Sequence, residues 1–132
     1  MILDTSAIIA ILKQEPEAAE FSRAIEAAEA CRMSMASFVE AAVVIDSKGD
    51  PKASRKYDDM LRDAKVELVS VDETQARIAR EAYRDFGKGS GHAAQLNFGD
   101  CFAYALAKAT GEPLLFKGND FSHTESSVKK PD

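Results

Sequence analysis

Cysteine is scarce: only Cys31 and Cys101 are present, 70 positions apart. That excludes a small fold stapled by disulfides, and two such thiols suit a reducing compartment. The first apolar run, Ile8 to Leu12, is too short for the core of a signal peptide and follows Asp4 rather than Lys or Arg. No run approaches the ~18 apolar residues that a membrane span requires. Histidine is equally rare. His92 and His123 stand alone, and neither they nor the cysteines have the paired spacing of a zinc site. Positive charge is not in excess either, since 17 Lys and Arg face 22 Asp and Glu for a net charge of −5. At first sight that balance disfavours a nucleic-acid partner. What remains is a chain of 132 residues, 45% hydrophobic and 30% charged, which suits one core of ordinary size. The expectation is a single domain over 1–132, cytoplasmic, with no membrane association.

Strand and helix signals alternate along this domain. Met1-Ile2-Leu3 reads as a buried strand ending at Asp4, with a helix starting near Thr5 or Ser6. An Ala-rich amphipathic helix follows from Glu17 to Ala30, then a short strand over Arg32 to Met35. Ser34 or Ser37 can cap a helix through Phe38 to Ile45, and Asp50-Pro51 opens another that turns Tyr57, Met60 and Leu61 inward. Val66 to Val71 reads as a strand, and Asp72 starts a helix with Ile78, Ala82 and Phe86 on one face. Three glycines between Gly87 and Gly91 mark a loop. Gly99-Asp100 introduces a helix from about Cys101 to Ala109, and Pro113 to Phe116 is a further strand, with Val128 a candidate edge strand. No hairpin signal occurs, so the pattern favours α/β with a mostly parallel central sheet.

Four acids stand apart from those on solvated helix faces. Asp4 and Asp120 each follow a strand, where ligands of parallel sheets bind, although Asp4 alone could be a helix cap and Asp120 alone a turn residue. Asp100 begins a helix of small residues and could likewise be a cap. Glu40 interrupts the apolar run Phe38-Val39-Ala41-Ala42-Val43-Val44-Ile45. An ionised carboxylate there is costly unless paired or neutralised, so Glu40 is where strain is expected. A parallel sheet brings strand ends to one edge. Carboxylates gathered there repel one another unless a divalent cation intervenes, and hard oxygen donors select Mg²⁺ or Mn²⁺. Such a site suits phosphodiester chemistry. Without these four acids, 18 remain against 17 bases, so the negative balance is mostly the site itself. Arg77, Arg80, Arg84 and Lys88 recur on one helical face and lead into the Gly-rich loop. They read either as a solvated face or as a track for a nucleic-acid phosphate backbone.

The segments Met1-Ile2-Leu3-Asp4-Thr5-Ser6-Ala7, Glu40, Leu96-Asn97-Phe98-Gly99-Asp100-Cys101-Phe102-Ala103-Tyr104-Ala105-Leu106-Ala107 and Leu114 to Phe121 occur in the order seen in one family. The sequence resembles the PIN-domain ribonucleases, specifically the VapC-type toxins of toxin–antitoxin pairs. The resemblance implies a PIN-like three-layer α/β/α sandwich with a sheet of four to five strands. It also implies Mg²⁺- or Mn²⁺-dependent endoribonuclease activity, a homodimer, and inhibition by a VapB-type antitoxin. By position, Asp4, Glu40, Asp100 and Asp120 match the catalytic and metal-binding acids, and Thr5 or Ser6 the hydroxyl that supports the first. Asn119 stands where an acid often precedes the Asp-Phe pair, so a fifth carboxylate is missing. A phosphatase of the haloacid-dehalogenase type needs a second Asp two residues after the first, where Ser6 stands. A catalytically silent PIN module that only binds partners is the remaining alternative.

Overall fold

Four short strands, β1 (Ile2–Leu3), β2 (Arg32–Ser34), β3 (Glu67–Val69) and β4 (Leu114–Leu115), form one sheet in the order β3-β2-β1-β4. All three pairings are parallel, with Ile2 beside both Arg32 and Leu114, and Leu3 beside Leu115. The computed structural model describes residues 1–91 and 95–118. Parallel neighbours require long crossovers, and pairs of helices supply them. They are α1 (Thr5–Leu12) and α2 (Ala18–Ala27), α3 (Met35–Asp46) and α4 (Pro51–Asp63), then α5 (Glu73–Phe86) and α6 (Phe98–Thr110).

The two-residue period of the strands divides the core. Ile2 and Leu114 turn to one face, where they pack with Ala79 and Ala82 of α5 and with Ala103, Tyr104 and Leu106 of α6. Leu3, Met33 and Leu115 turn to the other, against Ala7 and Ile8 of α1, Phe21 of α2, Ala41 and Ile45 of α3, and Tyr57 and Leu61 of α4. Each fully buried Leu or Ile contributes roughly 1.5–3 kcal/mol. This is the three-layer α/β/α arrangement that the alternating pattern suggests. The expected Ile78-Ala82-Phe86 face of α5 lies on the first core as anticipated.

Boundaries moved where a cap decided them. The helix expected from about Cys101 starts at Phe98, because Asn97 accepts the Asp100 N–H at 2.9 Å and Asp100 Oδ2 accepts the Asn97 N–H at 3.0 Å. Asp100 is therefore inside the helix, as half of a reciprocal capping box. Ser34, rather than Ser37, caps α3. The Gly-rich loop is tied at its base, where Lys88 N–H donates to Leu96 O at 2.8 Å and Leu96 N–H to Phe86 O at 2.7 Å. The candidate strand at Val128 lies outside the described residues, among which the sheet has four strands. Among those residues, no helix is long and apolar enough to cross a membrane.

Helix α6 ends at Gly111, whose φ of +72° is left-handed and whose N–H reaches Ala107 O at 2.8 Å. A Cβ there would meet open space, so an added side chain acts through backbone strain alone. Gly111→Ala should lower unfolding free energy by about 1 kcal/mol in urea titration, without changing the slope of the transition.

Candidate active site

Asp4 leaves the sheet at the carboxyl end of β1, its N–H bonded to Leu115 O at 3.0 Å. It caps α1: Oδ2 accepts the Ser6 N–H at 3.0 Å and the Ser6 hydroxyl at 2.6 Å. The Ser6 hydroxyl oxygen in turn accepts the Lys117 N–H at 3.0 Å. Capping and site membership are thus compatible, because each uses a different oxygen. Oδ1 is buried and has no hydrogen-bond partner, although the residue is only 2% exposed. Lys117 is itself held by its ammonium, which pairs with Glu15 and, at 3.4 Å, with Glu17.

Two further acids reach the same place. Asp100 is 8% exposed near the start of α6. Glu40 projects from α3 so that its carboxylate lies against Gly99, next to Asp100. Burial, followed by the charges of Asp100 and Glu40, raises the Asp4 pKa from 3.8 to about 7, against the lowering effect of the Ser6 hydrogen bonds. This corrects the expectation that strain would fall on Glu40. Val39 and Val43 flank Glu40 but are 55% and 61% exposed, so α3 is not buried on every side, and Glu40 is only half-buried. The carboxyl that is desolvated is Asp4.

Of the two candidate supporting hydroxyls, Ser6 is the one on Asp4. Thr5 instead donates to Ser37 O at 3.2 Å and ties α1 to α3. Asp120 lies outside the described residues. Arg77, Arg80, Arg84 and Lys88 are exposed on and just after α5, with Arg77 paired to Glu73 and Arg84 to Asp85, both at 3.1 Å. Sequence reasoning missed Asn97, Gly99 and the Lys117 backbone. The Asn-x-x-Asp spacing was a readable capping signal, and a glycine inside the helix that this signal opens was another anomaly.

Neither thiol competes as a nucleophile. Burial, with the Asp100 charge behind it, pushes Cys101 up to about 12, and burial also raises Cys31. Among the described residues, no three of His, Cys, Asp and Glu form a group that could hold a metal ion as they stand. The donor chemistry nevertheless fits a hard divalent cation: the donors are carboxylates, and Asp4 Oδ1 is buried without a partner.

The raised Asp4 pKa has a definite sign. Folding disfavours the ionised form, so the metal-free protein is most stable with respect to this group below the unfolded value near 4. It loses stability as pH climbs to about 7, and the loss is complete above that. Asp4→Asn keeps an acceptor for Ser6 and removes the charge. In chelator, its melting temperature should exceed the parent's by a margin that opens between pH 4 and 7 and then levels off. An Asn variant less stable than the parent at pH 8 would contradict this assignment.

A family model described as "PIN domain" matches residues 1–126. Ribonuclease VapC28 of Mycobacterium tuberculosis is 55% identical over 124 residues, covering 94% of this chain and 93% of that protein. Ribonuclease VapC30 of the same organism is 50% identical over 125 residues, covering 95% of each. Among solved structures, a toxin–antitoxin complex from Klebsiella pneumoniae superposes with a TM-score of 0.73 at 16% identity, covering 99% of this chain and 97% of that one. M. tuberculosis VapC20, a toxin that cleaves the sarcin–ricin loop, superposes with a TM-score of 0.68 at 16% identity, covering 92% of each. The chain belongs to the PIN-domain family, among the VapC ribonucleases.

Proposed function

We propose that the protein is a toxin-type endoribonuclease that hydrolyses RNA phosphodiester bonds with Mg²⁺ or Mn²⁺, and acts in the cytoplasm. The observation that carries this reading is the buried Asp4 carboxylate, with one oxygen unpartnered and two further acids close enough to raise its pKa. Asp4, Glu40 and Asp100 would hold the cation, with Asp120 as the fourth acid. A hard divalent ion bound there supplies charge neutralisation and Lewis acidity toward a phosphodiester. The chain's own contribution is orientation. Ser6 fixes one oxygen of Asp4 and Asn97 one of Asp100, and each side chain also accepts a backbone N–H, Ser6 from Lys117 just after β4 and Asn97 from Asp100 in α6. Arg77, Arg80, Arg84 and Lys88 are proposed to capture RNA phosphates. Lys88 is tied by its backbone to Leu96, four residues before Asp100, so a strand lying on this track is led towards the acids.

Two protein partners belong to the proposal. Met35, Val39 and Val43 form an exposed stripe on α3, and Phe98 beside Gly99 is 75% exposed. Apolar side chains exposed this far mark an interface, here assigned to a second copy of the chain. A VapB-type antitoxin is assigned to the α1 side. Ile8 of α1 and Phe21 of α2 are core residues and take no part in this surface. Ile9, Leu12 and Val44, together with the buried Ile45, line a groove of about 280 Å³ rimmed by Lys13, Lys48, Lys52 and Lys56. An amphipathic segment seated there could bring a basic side chain to the acids in place of the metal.

Purified protein free of antitoxin should cleave RNA only with Mg²⁺ or Mn²⁺, and chelator-resistant cleavage would overturn the metal mechanism. Asp100→Asn should fold yet lose more than about 100-fold in cleavage, since even residues that merely support metal ligands cost 10–100-fold. Val39→Lys combined with Val43→Lys should convert a sedimenting dimer to monomer without lowering helical content.

A further inference from the structure

Gly99 occupies the second position of α6, where its backbone is not left-handed and any residue could stand. Alanine would be the better helix former, and the same helix uses it at Ala103, Ala105 and Ala107. Conformation therefore does not explain this glycine. Space does. A methyl group built at Gly99 would overlap Glu40, and its three nearest neighbours are all Glu40 carboxyl atoms, the farthest being Oε1 at 2.6 Å. No backbone atom is among them. At Gly87, by contrast, the nearest atom is the Tyr83 carbonyl oxygen, so close backbone packing accounts for that glycine.

We propose that Gly99 is a positioning residue, its missing side chain forming the seat that holds the Glu40 carboxylate beside Asp100. The seat lies in the first turn of α6, where the positive end of the helix dipole favours an anion. It also joins two elements, because Glu40 comes from α3 and Asp100 from α6. Any side chain at position 99 leaves Asp100 and its capping box in place but displaces Glu40, the flexible partner. The inference rests on the proposed metal reading only in assigning Glu40 a role. The seat itself is a steric relation between two residues.

The test is a double-mutant cycle of Gly99→Ala with Glu40→Ala, read by Mn²⁺ titration calorimetry and by thermal melting in chelator. Gly99→Ala alone should fold and melt no lower than the parent, yet bind Mn²⁺ about 10- to 100-fold more weakly. With Glu40→Ala already present, Gly99→Ala should not change Mn²⁺ affinity further, while the melting temperature rises by about 2–8 °C as the helix gains a better former. Unchanged Mn²⁺ affinity in Gly99→Ala, or losses that add across the cycle, would overturn the proposal. If Gly99→Ala does not fold, folding of the double variant supports the seat and its failure to fold overturns it. A parent that binds no Mn²⁺ refutes the metal reading instead. The melting cycle then decides alone: the seat stands if Gly99→Ala stabilises the Glu40→Ala background more than the parent, and falls if the two gains are equal.

Discussion

A carboxyl group removed almost wholly from water, with one oxygen occupied and the other bare, is the constraint around which this molecule is arranged. Asp4 would be tolerated more easily if it were exposed or fully hydrogen-bonded. Instead, Ser6 secures Oδ2 while Oδ1 is left without a partner. The neighbours that could have relieved the cost add to it, because Asp100 and Glu40 carry the same sign. An arrangement of this kind persists only because the surrounding sheet and helices over-determine it, with β1 buried between β2 and β4 and covered on both faces. The scaffold's stability and the readiness of the site for a cation are opposed.

Much of the fold was legible because the signals were local. The parallel sheet followed from alternating strand and helix patterns, and the caps at Asp4, Asp50 and Asp72 stand where the sequence suggests. The start of α6 was misplaced because two capping residues compete within four positions. Asn97 accepts at the cap while Asp100 answers from inside the helix. Candidate acids were also legible as charges in apolar or strand-end settings, but their relative burial was not. Glu40 sits in a more hydrophobic stretch than Asp4, and a one-dimensional reading ranks it as the more strained. The third dimension reverses the order, since the flanking Val39 and Val43 point to solvent while Asp4 is enclosed by residues distant in sequence. The place of Gly99 was invisible for the same reason: nothing near it in sequence shows that Glu40, 59 positions earlier, comes to rest there.

The sheet order also has a temporal meaning. Strand β1 lies between β2 and β4, and β4 begins only at Leu114. The Asp4 N–H bonds to Leu115 O, and the Ser6 hydroxyl that supports Asp4 accepts from Lys117 N–H, 111 residues away in the chain. During synthesis Leu115, whose carbonyl fixes the Asp4 backbone, is added 111 residues after Asp4. Contacts of such long sequence separation form late, after the local helices are in place. A nascent chain therefore carries the acids without the geometry that aligns them. For a protein proposed to cut RNA, the cation site is therefore completed only when β4 joins the sheet.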